Sequence, residues 1–276
     1  MLKNQRTRVL IIKIGALGDL VTASTMIGVI RTKEPNAHIT WLCGKDLSPF
    51  VKLIEGIDEV LTINRQLLSG NILQKIIFTL NTWKLLFLKK YDLCLIGQHG
   101  IKYRLLPILS RCRKIRMFGG RYGPLTGRYR GDEYARLVTE SDNHFTEHAP
   151  LAKISLPNEQ NDTIMLFPAG AYDISIFDGL RRWPTKMYAS LAEQLIQMGL
   201  KVGLIGESRD KWAEEYFEGI PVTSYIGKTT IPELLVLLTG SRALITHDSG
   251  PMHMAYLMGV PVIALFGPTL HKDCII

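Results

Sequence analysis

Short apolar runs rich in β-branched residues alternate with longer amphipathic segments along the whole chain. The runs cover residues 8–14, 38–43, 59–63, 92–96 and 114–118, and then 163–167, 201–205, 222–226, 243–246 and 262–266. Helical periodicity covers residues 19–32, 72–89, 186–198, 231–239 and 250–257. Strands that alternate with helices are typical of βαβ units and parallel sheets.

A polar stretch that contains Pro157 separates the two sets of runs, at residues 156–162. We interpret it as an interdomain linker, because a chain of this length favours about two domains. The sequence therefore predicts an α/β protein of two Rossmann-like, parallel-sheet domains, residues 1–156 and 163–276, that face each other across a cleft. In such sheets ligands bind beyond the carboxyl ends of the strands, so the loops after strands are the candidate sites.

Composition narrows the class of protein. Hydrophobic residues make up 46% of the chain and charged residues 21%, as in ordinary globular proteins. The longest apolar runs are far shorter than the roughly 20 residues that span a bilayer, and the N-terminus lacks a signal-peptide pattern, so we expect a cytoplasmic protein. No C-x-x-C spacing or Asp-x-Asp triplet occurs, and we expect no metal site or disulfide framework.

The formal net charge of +8 is unevenly distributed. Residues 102–130 contain nine lysines and arginines, among them Arg111, Arg113 and Arg116, and no acidic residue. Such a segment attracts a polyanion, which could be nucleic acid, an anionic bilayer surface or a phosphorylated substrate. The alternative is a solvated basic surface without a partner.

The first candidate loop follows the first predicted strand. Gly15 and Gly18 permit a tight turn there, and Asp19 begins the next helix. The glycine spacing is not G-x-G-x-x-G, which disfavours a Rossmann dehydrogenase. Asp19 is either a functional carboxylate or an ordinary acidic residue in a helix's first turn.

The second candidate loop reads Asp248-Ser249-Gly250-Pro251-Met252-His253. Asp248 or Ser249 can cap the following helix and leave first-turn N–H groups, which suit a phosphate. His253 lies one turn further and can reach the same anion. Ordinary capping and a core histidine are the alternative.

Two further loops in the second half carry charge. Arg181-Arg182-Trp183-Pro184 can neutralise a diphosphate through its arginines. Asp210 follows a predicted strand and could accept hydrogen bonds from both hydroxyls of a ribose. The alternative for Asp210 is an N-terminal helix carboxylate.

Taken together, these loops resemble the family 9 glycosyltransferases, the heptosyltransferases of lipopolysaccharide core assembly, which have the GT-B fold. The most specific match is residues 248–253 followed by residues 259–269. Gly18-Asp19 and residues 181–184 agree in order and location, so the resemblance covers essentially the whole chain.

The resemblance implies inverting, metal-independent transfer of a heptose from a nucleotide diphosphate, ADP-heptose, to a sugar hydroxyl, with no cofactor. By the same resemblance Asp19 is the catalytic base, Arg181 binds the diphosphate and Asp210 binds the ribose. The donor-phosphate loop then consists of Asp248, Ser249, Gly250 and His253.

The resemblance also implies a partner for the basic segment. The acceptor in the family is a phosphorylated, lipid-linked saccharide, and the N-terminal half binds it. We therefore expect Arg111, Arg113 and Arg116 to contact the acceptor or the anionic membrane surface, peripherally and on the inner face of the inner membrane. We expect no nucleic acid partner.

One departure from the family leaves alternatives. Family members continue well beyond residue 269, so a shortened C-terminal end is expected here. A catalytically impaired protein that still binds a nucleotide sugar is the main alternative function. A GT-B nucleotide-sugar epimerase is disfavoured, because the carboxylate–histidine set expected in its cleft is not evident.

Overall fold

A computed structural model describes residues 6–118, 127–140, 149, 151–157, 160–170 and 178–274. The chain divides into two compact units, unit 1 (Met1–Ile154) and unit 2 (Ser155–Ile275). The predicted linker is described except for residues 158 and 159.

Unit 1 alternates strands with helices. In chain order these are β1 (Arg8–Ile12), α1 (Leu17–Ala23), α2 (Thr25–Lys33), β2 (His38–Gly44), α3 (Ser48–Val51), β3 (Glu59–Ile63), α4 (Ile72–Leu86), β4 (Lys90–Ile96), β5 (Arg111–Met117) and α5 (Arg130–Thr139). Short 3-10 helices cover Lys45–Leu47, Arg65–Leu68 and Ile101–Leu105.

Unit 2 repeats this alternation. Its elements are β6 (Thr163–Leu166), α6 (Asp178–Arg181), α7 (Thr185–Gln197), β7 (Lys201–Leu204), β8 (Thr223–Ser224), α8 (Ile231–Thr239), β9 (Ala243–His247), α9 (Gly250–Leu257), β10 (Val262–Leu265) and α10 (His271–Cys274). A 3-10 helix over Ser208–Phe217 lies between β7 and β8.

The two sheets have the same topology. The strand order is β3-β2-β1-β4-β5 in unit 1 and β8-β7-β6-β9-β10 in unit 2, and all pairs are parallel. The order reverses between β1 and β4 in unit 1 and between β6 and β9 in unit 2, which are the switch points where such sheets bind ligands. The predicted fold class, two parallel-sheet α/β domains, is confirmed.

Each sheet is covered by helices that bury its apolar side chains. In unit 1, Leu10 and Ile12 of β1 belong to one buried cluster with Phe78 and Leu86 of α4. In unit 2, Leu166 and Leu204 lie in a cluster with Tyr188 of α7. Strands buried on both faces give continuous apolar runs, which explains why the strand predictions lie close to the observed strands.

The prediction of one continuous helix over residues 19–32 is wrong. The structure has two helices there, α1 and α2, which meet at Ser24. The Ser24 hydroxyl donates to the Val21 carbonyl and accepts a hydrogen bond from the Ala152 amide. Thr25 donates to the Gly131 carbonyl. These hydroxyls bond main-chain groups that a helix pattern does not reveal, and they tie the junction to residues more than a hundred positions away.

Among the helical elements that were not predicted, the two longest are α5 and the 3-10 helix after β7. Helix α5 buries two charged side chains, Glu133 and Arg136, which form an ion pair with each other. No helix within the described part of the chain is both long and apolar enough to cross a membrane.

Candidate functional site

The loop after β1 holds Asp19 against a buried lysine. Lys13 Nζ lies 2.7 Å from Asp19 Oδ2, and the exposed fraction is 3% for the lysine side chain and 48% for the aspartate. Asp19 stands in the first turn of α1, where the helix dipole favours a carboxylate. The pair therefore presents an anion to solvent from a buried, cationic support.

Lys13 is held by more than its carboxylate partner. Its Nζ lies 5.6 Å from the centroid of the Tyr134 ring, which stacks on Phe118 with centroids 4.4 Å apart. Burial lowers the pKa of Lys13, the charge of Asp19 opposes that shift, and Arg130 adds to it. The sequence analysis did not single out Lys13, whose only signal is a charged residue at the end of an apolar strand.

His99 lies after β4, on the other side of the unit 1 switch point. Its ring contacts Phe118 edge to face, with centroids 4.7 Å apart. Partial burial and the positive charges of Lys13 and Arg130 lower the pKa of His99. The loops after β1 and β4 and the helix α5 thus bring titratable groups to one edge of the sheet.

In unit 2 the loop after β9 leads into α9. Ser249 occupies the N-cap position, but its Oγ pairs with Thr246 Oγ1 at 2.9 Å and no side chain caps the helix. Capping by Asp248 or Ser249 is therefore wrong, because the serine hydroxyl has a partner on β9 instead. Gly250 begins the helix, and His253 lies half-buried one turn further.

Arginines from the segment before α7 lie near this loop. Arg181 Nη1 is 3.8 Å from Asp248 Oδ2, and the exposed fraction is 30% for the arginine side chain and 10% for the aspartate. Arg182 donates to the Gly170 carbonyl at 2.7 Å, and its guanidinium lies 5.2 Å from the Trp212 ring. The structure thus places Arg181 beside Asp248.

His247 ends β9 in the middle of these groups and is fully buried. Its Nδ1 lies 3.3 Å from the Tyr188 hydroxyl, and its ring stacks on Phe167 with centroids 5.5 Å apart. Burial lowers the pKa of His247 to about 4, helped by the charge of Arg182. The imidazole is therefore neutral near pH 7, so the positive charge of this site comes from the arginines.

Asp210 is not presented to a ligand. It is fully buried, with Oδ2 accepting from the Glu207 amide at 2.7 Å and Oδ1 accepting from the Gly170 amide at 3.2 Å. The predicted ribose contact is therefore wrong for this residue, because both carboxylate oxygens are committed to the main chain. Asp210 has its alternative role, an N-terminal carboxylate of the 3-10 helix.

The three arginines of β5 do not form one surface. Successive side chains of a strand point to opposite faces, so Arg111 and Arg113 share a face and Arg116 has the other. Arg116 donates to the Leu137 and Val138 carbonyls, at 2.8 and 2.6 Å, and is mostly buried. A surface contact by Arg116 is therefore wrong.

Acidic residues from outside the basic segment also neutralise part of it. Arg113 pairs with Asp92 at 3.4 Å, and Lys114 pairs with Glu140 at 2.7 Å. Arg111 is exposed at the start of β5. Residues 119–126 of the basic segment, with Arg121, lie outside the described residues.

The groups that could hold a ligand differ between the two units. In unit 2, Arg181 and the start of α9 can bind an anion such as a diphosphate. In unit 1, Asp19 can accept a proton or a hydrogen bond. Among the described residues there is no group of three or more His, Cys, Asp or Glu side chains that could hold a metal ion.

Two solved glycosyltransferase structures are similar in fold to this chain. The chain is similar to a family 9 glycosyltransferase from Veillonella parvula, with a TM-score of 0.79, 20% identity and coverage of 97% of this chain and 82% of that one. It is also similar to E. coli heptosyltransferase WaaC, solved with ADP-2-deoxy-2-fluoro heptose, with a TM-score of 0.78, 17% identity and coverage of 95% and 90%. Their GT-B fold is the fold class of this chain.

Sequence comparisons find similarity to the same family. The model of glycosyltransferase family 9 (heptosyltransferase) matches residues 140–274. The chain is 39% identical over 100 residues to lipooligosaccharide heptosyltransferase 2 of Haemophilus influenzae. This alignment covers 34% of this chain and 29% of that protein. The chain is 24% identical over 282 residues to lipopolysaccharide heptosyltransferase 3 of E. coli, with coverage of 92% and 80%. The resemblance to the family 9 glycosyltransferases is therefore confirmed, and the comparisons support a glycosyltransferase.

Proposed function

We propose that this chain transfers a heptose from ADP-heptose to a hydroxyl of a lipopolysaccharide core acceptor, with inversion at the anomeric carbon and without a metal ion. The observation that carries the proposal is the half-exposed Asp19 carboxylate beside the buried Lys13 at the carboxyl end of β1. Heptosyltransferase relatives support the transferred sugar and the acceptor, and the ligand of the E. coli WaaC structure supports ADP as the nucleotide.

In this proposal unit 1 binds the acceptor and Asp19 is the catalytic base. The acceptor oxygen attacks the anomeric carbon opposite the departing diphosphate, the bond from that carbon to the phosphate oxygen breaks, and the acceptor proton moves to Asp19. Inversion follows from this single displacement. Lys13 acts as a positioning residue, because its ion pair fixes the carboxylate that receives the proton.

Unit 2 binds the donor. The Arg181–Asp248 distance of 3.8 Å is long for an ion pair, so the guanidinium keeps donors for a diphosphate. Arg181, the start of α9 and His253 would hold the phosphates that leave. Fixed cations of this kind can stabilise the charge that develops on the leaving group, which is the role a metal ion has in other transferases.

A transfer assay tests the catalytic part. Turnover with ADP-heptose and a heptose-deficient core acceptor should fall about 10²–10⁴-fold in Asp19→Asn, the range for a positioned base, while affinity for ADP stays unchanged. Asp46→Asn is the matched control, since Asp46 is an exposed carboxylate of unit 1 paired with Arg65. The parent should work equally well in EDTA.

Three results would count against this assignment. Near-normal turnover of Asp19→Asn would remove Asp19 from the role of base. Strict dependence on Mg²⁺ would contradict the metal-independent mechanism. ADP binding without any transfer by the parent would favour the alternative, a catalytically impaired protein that binds nucleotide sugars.

Calorimetry with two ligands tests the donor part. Arg181→Ala should weaken ADP about 10–100-fold, the loss expected for a charge-assisted hydrogen bond, and leave adenosine nearly unaffected. Arg209→Ala is the control, because Arg209 is an exposed arginine of unit 2 beside Glu207. Equal losses for ADP and adenosine would show that Arg181 does not read the phosphates.

The proposed location of the protein is the cytoplasmic side of the inner membrane, where it associates peripherally. The reason is the acceptor, which in this proposal is anchored by lipid. Fractionation of cells with and without a high-salt wash would test this location.

A further inference from the structure

Helix α4 has apolar side chains on two opposite faces. Phe78 and Leu86 are buried on one face and belong to the cluster that includes β1 side chains, with the buried Thr82 between them. The other face carries aliphatic side chains that are exposed to between 40% and 74%, and these are Ile72, Leu73, Ile76, Ile77 and Leu80. Side chains four apart lie on the same side of a helix, so these residues form one solvent-facing stripe along its first half.

The stripe continues onto the segment between β4 and β5. Trp83 donates its indole N–H to the Leu105 carbonyl at 2.8 Å, and the Leu88 amide donates to the Leu109 carbonyl at 3.1 Å. Leu88, Leu105 and Leu109 are themselves exposed. We call the α4 stripe and these three leucines the apolar face. Exposed apolar surface of this extent on one side of a soluble protein marks an interaction site.

The stretch of chain that carries the apolar face is strongly basic. Residues 60–131 contain 14 lysines and arginines and one acidic residue, Asp92, whereas the rest of the chain has a net charge of −5. Lys75 and Lys84 are exposed on α4 itself. Asp92 already pairs with Arg113, so no carboxylate of this stretch opposes the charge of the helix.

We propose that the apolar face docks on an anionic lipid bilayer, with α4 lying in the plane of the interface. An amphipathic helix with basic flanks binds there by burying aliphatic side chains at the level of the headgroups while its lysines meet the lipid phosphates. A second copy of the chain is disfavoured, because a two-fold contact would bring two strongly positive segments together.

The inference deepens the proposed function and rests on it, since a lipid-linked acceptor would be met at this surface. Arg111 and Arg113 stay predicted contacts of the acceptor or the membrane. The residues of the apolar face have no role in the proposed transfer reaction, so vesicle binding can be tested separately from turnover. The parent should co-sediment with vesicles of phosphatidylcholine and phosphatidylglycerol at low salt and bind phosphatidylcholine vesicles much more weakly.

Two variants separate the apolar and the electrostatic contributions. Ile76→Gln with Leu80→Gln should weaken vesicle binding at least about tenfold at every salt concentration, because the free energy gained by burying two aliphatic side chains in the bilayer is lost. Lys75→Gln with Lys84→Gln should weaken it about tenfold at low salt and much less at high salt. The control Met198→Gln removes an exposed apolar side chain from unit 2 and should bind like the parent.

Several outcomes would overturn the proposal. The parent could remain in the supernatant with anionic vesicles at low salt, or the Ile76/Leu80 variant could bind as the parent does. A vesicle-free dimer that this variant dissociates would instead make the face an interface between two copies. ADP affinity should stay equal in all variants; a parent that binds vesicles but not ADP would count against the proposed donor site and leave the apolar face in place.

Discussion

Unit 1 and unit 2 have the same strand order, but the ion pairs at their switch points are buried in opposite senses. In unit 1 the cation Lys13 is buried and the anion Asp19 is half-exposed. In unit 2 the anion Asp248 is the more buried partner and the cation Arg181 is the more exposed one. One topology therefore presents a carboxylate from one sheet and a guanidinium from the other.

The difference indicates how each pair works. Moving a charge out of water is costly, so the buried member of a pair depends on its partner and holds it in place. The exposed member keeps unused hydrogen-bonding capacity for a ligand. In the proposed function, Asp19 of unit 1 uses this capacity as a base and Arg181 of unit 2 uses it to bind phosphate.

The largest expected effect comes from breaking the unit 1 pair. Asp19→Asn leaves the buried Lys13 ammonium without its carboxylate, and we expect unit 1 to lose about 3 kcal/mol of unfolding free energy. Lys13→Met with Asp19→Asn removes both charges and should recover most of that loss without recovering turnover. Urea unfolding resolved by hydrogen exchange in each unit measures the first result, and the transfer assay measures the second.

The pH dependence of the single variant provides a check. Burial already lowers the pKa of Lys13, and loss of Asp19 removes the charge that opposes this shift. The unfolded lysine keeps its proton up to a pKa of 10.5 while the folded one loses it earlier, so stability should rise with pH in that window. If the double variant is as unstable as Asp19→Asn, the pair is not what stabilises unit 1.

The next effect also comes from a buried titratable side chain, His247 of unit 2. The pKa of His247 is about 4 in the folded chain and near 6.5 when unfolded, so the unfolded state binds more protons between these values. Unit 2 should therefore lose on the order of 3 kcal/mol as the pH falls from 6.5 to 4. His247→Gln should remove most of this slope in hydrogen exchange or urea unfolding of unit 2.

Tyr188→Phe is the matched control for the histidine. It removes the hydroxyl 3.3 Å from His247 Nδ1 but leaves the imidazole buried, so the slope should persist. A parent whose unit 2 stability is flat from pH 6.5 to 4 would show that the neutral histidine is not the source. The protonation state of His247 would then have to be reassigned.

The fold could be predicted because its signals are local. Buried parallel strands give unbroken apolar runs, and the ends of β3, α8 and α9 agree with the pattern. The position of Asp19 in the first turn of a helix after β1 was equally local. These features depend on neighbours in sequence, which a pattern of residues records.

The burial of the site could not be predicted, because it depends on distant contacts. Lys13 is covered by Tyr134 of α5, and the partners of Arg116 lie near the end of α5. The basic segment contains no acidic residue, so the sequence predicted no ion pairs for it. In the structure Asp92 and Glu140, from outside the segment, pair with Arg113 and Lys114. A charged residue that ends an apolar strand, such as Lys13, is the one signal that could have pointed to a buried ion pair.

The smallest effect distinguishes the two aspartates that sequence alone treated alike. Asp19 is half-exposed with a lysine partner, whereas Asp210 is fully buried and accepts main-chain hydrogen bonds from Gly170 and Glu207. Asp210→Asn turns an amide N–H₂ toward one of these N–H groups, so unit 2 should lose about 2 kcal/mol, as for a hydrogen bond to a charged group. Because the carboxylate holds the loop and does not face a ligand, ADP affinity measured by calorimetry at low temperature, where the variant stays folded, should change less than about twofold. Asp162→Asn is the control. It changes an exposed carboxylate of unit 2 and should alter neither the unfolding free energy nor the ADP affinity.

A large loss of both ADP and adenosine affinity in Asp210→Asn, with the unfolding free energy unchanged, would contradict this prediction. It would restore a ribose contact to Asp210 and remove the contrast between the two aspartates.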